Sequence, residues 1–159
     1  MPTTPAVALS RSVSIEAPAD RVWQLVSDLP AMGELSPENT GGSWLGGATG
    51  PAAGVRFKGK NSQGKRRWST DVTVTECEPG RRFAFDVKSV GLAVATWSYD
   101  IEATGDDACQ VTESWQDNRG WLISTLGSLT TGVSDRKAFA ATSIEQTLAR
   151  LKERAEQPF

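Results

Sequence analysis

Residues 10–16, SRSVSIE, alternate in character: Val13 and Ile15 fall on one side of an extended chain, Ser12 and Ser14 on the other. That is the pattern of a half-buried strand. The period then changes. In APADRVWQLVSD, Val22, Trp23, Leu25 and Val26 recur at helical spacing behind Pro18, which suits a helix start, and Pro30 closes the run. A second short helical turn is predicted over AMGEL, ahead of Pro37.

Downstream the alternation returns and persists. Five alternating runs separated by turn signals lie between Gly54 and Asp117. VRFKGKN places Val55, Phe57 and Gly59 opposite Arg56, Lys58 and Lys60. RRWSTDVTVTEC gathers Trp68, Thr70, Val72 and Val74, and RRFAFDVK gathers Phe83, Phe85 and Val87. LAVATWSYDIEA gathers Ala93, Ala95, Trp97, Tyr99 and Ile101, and ACQVTESWQD gathers Val111, Glu113 and Trp115. Connections as short as SQGK, EPG and TGDD imply an antiparallel meander, because parallel neighbours need a long crossover. The chain ends in a helical pattern. Ser134 is placed as N-cap of DRKAFAATSIEQTLARLKERAE, where Ala138, Ala141, Ile144, Leu148, Leu151 and Ala155 form one apolar stripe.

One stretch invites a different reading. WLGGATGPAAG, from Trp44 to Gly54, is glycine-rich enough to suggest a phosphate cradle. It matches neither G-x-G-x-x-G nor a loop ending in G-K-[ST], and the strand VRFKGKN follows it where a helix is required. It is therefore expected to connect two strands, with Trp44 ending the first.

Composition narrows the chemistry. The 159 residues carry a net charge of -2, with 38% hydrophobic and 23% charged positions, which suits one domain with one core, spanning 1–159. The acidic balance argues against a nucleic-acid partner, and Lys58, Lys60, Lys65, Arg66 and Arg67 are read as a solvated hairpin. No run reaches the roughly 18 apolar residues of a membrane span, and MPTTPAVALSR lacks the form of a signal peptide. A cytoplasmic monomer or weak homodimer, without stable membrane insertion, is expected. Cys77 and Cys109 are too few and too far apart for a disulfide framework or a zinc pattern. There is no histidine at all, which excludes a Ser-His-Asp triad, a Cys-His dyad and any histidine-based metal site. No cofactor and no metal is expected. Catalysis, if any, rests on carboxylates, Tyr99, lysine, arginine, cysteine or water.

IEAPADRVWQLVSD resembles the entry motif of the polyketide cyclase/dehydrase branch of the START-like superfamily, also called SRPBCC. SPENTGGSWLGGATGPAAGVRFKGKN resembles a form common among its actinobacterial members. RRWSTDVTVTECEPGRRFAFDV, WSYDIEA, CQVTESW and TGVSDR continue the likeness over essentially the whole chain. The resemblance implies an α+β helix-grip (START/Bet v1-like) fold. It comprises a curved antiparallel sheet of about seven strands around a long C-terminal helix, two short helices after the first strand, and a cavity between sheet and helix.

Strand parity then nominates the cavity lining. Trp44, Phe57, Trp68, Phe83, Phe85, Val87, Ala95, Trp97, Tyr99 and Trp115 are in phase with the covered face, as are the polar Asn61, Thr70 and Glu113. Such a set suits an apolar, aromatic pocket with a few placed polar groups. An inward carboxylate is costly to bury unless paired. Glu113 is therefore read either as bonded to the Trp68 or Trp97 indole or to an arginine, or as a ligand anchor or general base with a raised pKa. In the second case Glu113→Gln should weaken binding or turnover. Glu113 and Tyr99 are the catalytic candidates. Residues 118–133, with Trp121 and Leu126, are read as a glycine-jointed lid over the cavity.

The ligand-binding candidates are therefore Trp44, Phe57, Asn61, Trp68, Thr70, Phe85, Trp97, Tyr99, Glu113, Trp115, Trp121 and Leu126. The function expected is binding of a hydrophobic or aromatic small molecule, polyketide-like or lipid-like. Two alternatives stand beside it: a cyclase or aromatase promoting aldol cyclisation and dehydration, and sequestration of a reactive natural product. The aromatase members are expected to carry histidine or arginine, serine and tyrosine in the pocket. The absence of histidine departs from that pattern.

Overall fold

A computed structural model describes residues 8–119 and 136–158. Strand β1 (Ala8–Ile15) is followed by helix α1 (Ala19–Ser27) and a 3-10 helix (Leu29–Glu34). Strands β2 (Asn39–Trp44), β3 (Arg56–Gln63), β4 (Arg66–Glu78), β5 (Arg82–Ser89), β6 (Leu92–Gly105) and β7 (Ala108–Asp117) form the meander, and helix α2 (Arg136–Glu156) ends the chain. The strands make one seven-stranded sheet in the order β1-β7-β6-β5-β4-β3-β2, antiparallel throughout. This is the helix-grip arrangement of START and Bet v1 proteins. Pro30 does not end the first helical segment alone: it opens the 3-10 helix, where its missing N–H costs nothing.

Register irregularities at Asn39/Gly41, Val74/Glu76, Val87/Lys88 and Ala103/Gly105 give the sheet its curvature. The one at Val87/Lys88 also corrects the parity of β6. Ala93 is exposed and Val94 is half-buried, while Ala95, Tyr99 and Ile101 are buried. The glycine-rich segment is a strand connection. Gly46, Gly47 and Gly54 have φ of 65°, 79° and 86° with open space around them, so backbone conformation, not a ligand, explains them.

The two halves of α2 do different work. Ile144, Leu148, Leu151 and Ala155 are buried in the core with Ile15, Val22, Val26 and Val111. This end is tied down by Lys152, whose Nζ donates to the Ser14 carbonyl at 2.9 Å, and by Glu156, which accepts from the Glu16 amide at 2.9 Å. Toward the N-terminal end the buried face departs from the expected stripe. Ala138 is exposed, while Ala140, Ser143 and Thr147 are buried. The helix thus packs on the β1 edge with its last turns and stands off the middle strands with its first. The cavity occupies that gap.

Candidate functional site: a cavity with a buried Tyr–Glu pair

The cavity, of about 530 Å³, lies between the inner face of β3–β7, the 3-10 helix and the first half of α2. That volume is in the range of small-molecule pockets. Its wall includes Asn61, Trp68, Thr70, Phe85, Trp97, Tyr99, Glu113 and Trp115 from the set nominated by strand parity. Between the register irregularities the strands alternate, so the register of each stretch decides which side chains face the helix. Val72, Val87 and Ala95 extend the apolar floor. Trp97 and Trp115 are cross-strand neighbours with ring centroids 6.5 Å apart.

Three nominated aromatics lie elsewhere. Trp44 and Phe57 pair across β2 and β3 in an edge-to-face contact, centroids 5.2 Å apart, and do not line the cavity. Phe57 is buried and its ring runs beneath Gly42. Phe83 is fully buried against Trp23 of α1, centroids 6.4 Å apart. Parity fixes the face of a strand but not the position along it, and these residues sit beyond the cavity's end, where elements close on the sheet. Trp121 and Leu126, with residues 120–133 of the proposed lid, lie outside the described residues.

The roof was not anticipated from the sequence. Phe139, Ala140, Ser143 and Thr147 of α2 line the cavity, as do Met32 and Ser36 near the 3-10 helix. Ser143 and Thr147 stand one helical turn apart, a small-polar pair where a core helix would carry leucine. That substitution of polar for apolar in a buried stripe was the available signal.

The polar groups gather at separate places. On β3 and β4, the Asn61 side-chain amide donates to Thr70 Oγ1 at 3.3 Å. Gly59 makes room for that hydroxyl, since a Cβ there would sit 2.8 Å from Thr70 Oγ1. Beyond the strand ends, Arg119 lines the cavity but is held by Asp117, with Nε to Oδ1 and a terminal nitrogen to Oδ2 both at 2.9 Å.

The most unusual group is Glu113. It is 2% exposed, and its partner is neither indole nor arginine as the sequence suggested, but Tyr99 on the adjacent strand. The Tyr99 hydroxyl donates to Glu113 Oε2 at 3.0 Å, and Oε1 has no hydrogen-bond partner among the described residues. Arg11, the cross-strand neighbour of Glu113 on β1, is exposed and donates instead to the Ser10 carbonyl at 2.8 Å. Burial lifts the Glu113 carboxyl from the ordinary 4.5 to about 8, partly opposed by the Tyr99 hydrogen bond. Burial, then the neighbouring Glu113, pushes the Tyr99 hydroxyl well up. Near neutral pH both are therefore protonated.

Other chemistry is sparse among the described residues. No cluster of three metal-type side chains occurs there, and no helix is long and apolar enough to cross a membrane. Cys77 and Cys109 are free thiols, both shifted upward by burial, which disfavours the reactive thiolate.

Comparison with known proteins agrees with this architecture. No curated protein matches the chain. Among solved structures, a Polyketide_cyc-like protein from Corynebacterium glutamicum is 29% identical with a TM-score of 0.66, covering 98% of this chain and 94% of that one. A START superfamily protein from Mycobacterium smegmatis is 16% identical with a TM-score of 0.70, covering 94% of this chain and 97% of its own. The di-domain ARO/CYC protein StfQ from the steffimycin biosynthetic pathway is 14% identical with a TM-score of 0.71, covering 96% of this chain but 51% of its own. The model of the family described as polyketide cyclase / dehydrase and lipid transport matches residues 6–156. The chain belongs to that polyketide cyclase/dehydrase and lipid transport family.

Proposed function

We propose that this protein binds a hydrophobic or aromatic small molecule, polyketide-like or lipid-like, in the cavity between its sheet and α2. The observation that carries the reading is the cavity itself: about 530 Å³ walled by Trp68, Phe85, Trp97 and Trp115, with isolated polar groups at set places. Native interiors are close-packed, and a void of this size in a small domain lowers stability unless something fills it. Native mass spectrometry after incubation with aromatic polyketides, fatty acids and sterols tests it. One bound molecule per chain at unchanged ligand mass is the expected result. Failure of every class to bind contradicts it.

A second reading, cyclisation with dehydration, is favoured by one observation, the Tyr99–Glu113 pair in the cavity wall. A carboxyl titrating near 8 is poised for proton transfer at neutral pH. Glu113 would give its proton to a departing hydroxyl as the carbon–oxygen bond breaks. Its carboxylate would then recover a proton from the adjacent carbon, so that one water leaves and the acid is restored. StfQ is named as an aromatase/cyclase, which supports this use of the fold. A bound species lighter by one water is the outcome that favours this reading over simple binding.

A further inference from the structure

We infer that the cavity selects a neutral ligand bearing a carbonyl-type acceptor oxygen, and that Glu113 donates a hydrogen bond to it from the carboxyl oxygen that Tyr99 leaves free. The inference deepens the binding reading and rests on it. Its basis is an imbalance at one side chain. Tyr99 satisfies Oε2, whereas Oε1 is buried and has no partner among the described residues, on a side chain that lines a cavity large enough for a ligand. A buried polar atom left unmatched costs free energy that a complementary ligand atom recovers.

The sign of that missing partner follows from the surroundings. The groups facing Glu113 are Tyr99 on β6, Val111 and Trp115 along β7, and Arg11 on β1, whose guanidinium is turned to the exposed Ser10 carbonyl. From α2 the cavity is faced by Phe139, Ala140, Ser143 and Thr147, none of them charged. Among the described residues the remaining charged groups of the wall are Glu38 and Arg119, and Arg119 is held by Asp117. Glu113 makes no ion pair among the described residues, and a carboxylate in such a site would be strongly penalised. The neutral acid is favoured. With Oε2 accepting from Tyr99, its O–H is left on Oε1, a donor flanked by Trp97 and Trp115. A ketone or quinone oxygen on a flat apolar body meets that donor. An anionic ligand would meet no cation beside Glu113 among the described residues.

Fluorenone and fluorene test this directly, being rigid, similar in shape, and different only in carbonyl against methylene. Their affinities are read by tryptophan fluorescence quenching, with circular dichroism confirming the fold under each condition. At about pH 6, fluorenone should bind about tenfold more tightly than fluorene. The preference should vanish in the wild type at about pH 9.5, where the carboxyl has lost its proton. It should persist at both values in Glu113→Gln, whose amide N–H replaces the donor, and be absent at both in Glu113→Met. Equal affinities at the lower pH, or a preference retained by Glu113→Met, overturns the inference while leaving cavity binding intact. So does tighter binding of a fluorenyl amine, which would mean that Glu113 acts as an anion. If neither fluorene nor fluorenone binds, this inference falls, while the panel of aromatic polyketides, fatty acids and sterols decides the binding reading separately.

Discussion

The Tyr99 hydroxyl donates to Glu113 Oε2 at 3.0 Å across strands β6 and β7, and the other carboxyl oxygen has no partner among the described residues. One bond is too little to stabilise a buried carboxylate, so the acid holds its proton near neutrality. This changes what the amide variant means. The sequence alone suggested that Glu113→Gln would weaken binding or turnover. Against a neutral acid, Gln imitates the donor and should preserve binding while abolishing any proton transfer.

The same carboxyl should dominate the pH dependence of stability. Its value is about 8 in the folded chain against an ordinary 4.5. Between these limits the folded state holds a proton the unfolded state has released, so stability falls as pH rises, and the fall is complete above the folded value. Linkage puts the loss at up to about 5 kcal/mol. Urea midpoints compared below, within and above this window should decline for the wild type. Those of Glu113→Gln should be much flatter.

Removing the phenol should act in the opposite sense to a simple loss of packing. The Tyr99 bond favours the charged form of Glu113. Tyr99→Phe should therefore move the Glu113 titration further up, seen in the carboxyl carbon shift by NMR, and cost about 1–3 kcal/mol through the unsatisfied acceptor.

Gly42 is expected to tolerate no side chain. Its φ is 146°, and a Cβ would overlap the Lys58 carbonyl oxygen and lie 2.8 Å from the Phe57 ring. Gly42→Ala should lose more than about 2 kcal/mol by urea unfolding. Gly59→Ala has a narrower effect: it meets the Thr70 hydroxyl, so the Asn61–Thr70 end of the cavity should reshape, with ligand affinity changing more than stability.

Val90 presents the reverse case. It is a β-branched residue at φ 49°, 84% exposed, beside Gly91 at φ 79° in the β5–β6 turn. Two successive left-handed residues suit a two-residue hairpin turn, but Asn or Gly fills the first position at lower strain. Val90→Asn should raise stability by about 1 kcal/mol, seen as a higher thermal midpoint.

Much of this was legible in the chain because the strands alternate over most of their length. The parity that put Trp68, Thr70, Phe85, Val87, Trp97, Tyr99, Glu113 and Trp115 on one face needed only a period of two. Three things were not legible. Position along a strand decided that Trp44, Phe57 and Phe83 serve the core, and alternation carries no such coordinate. The irregularity at Val87/Lys88 moved Val94 into the wall in place of Ala93, because one extra residue flips parity. The roof was missed because an apolar stripe marks the buried face of a helix, whereas Ser143 and Thr147 are buried polar residues facing a cavity.

Those roof residues offer the most direct test of the central claim, that the cavity is a binding site. Ser143 is 6% exposed and lines the void from α2, so Ser143→Phe would place a ring in the space a ligand needs. The measurement is the affinity of a ligand found in the mass-spectrometric panel, titrated into wild type and Ser143→Phe, with the thermal midpoint of each. Binding lost by about a hundredfold or more in a variant that unfolds no earlier is the predicted result. Undiminished binding to a folded Ser143→Phe protein would place the ligand elsewhere and contradict the account.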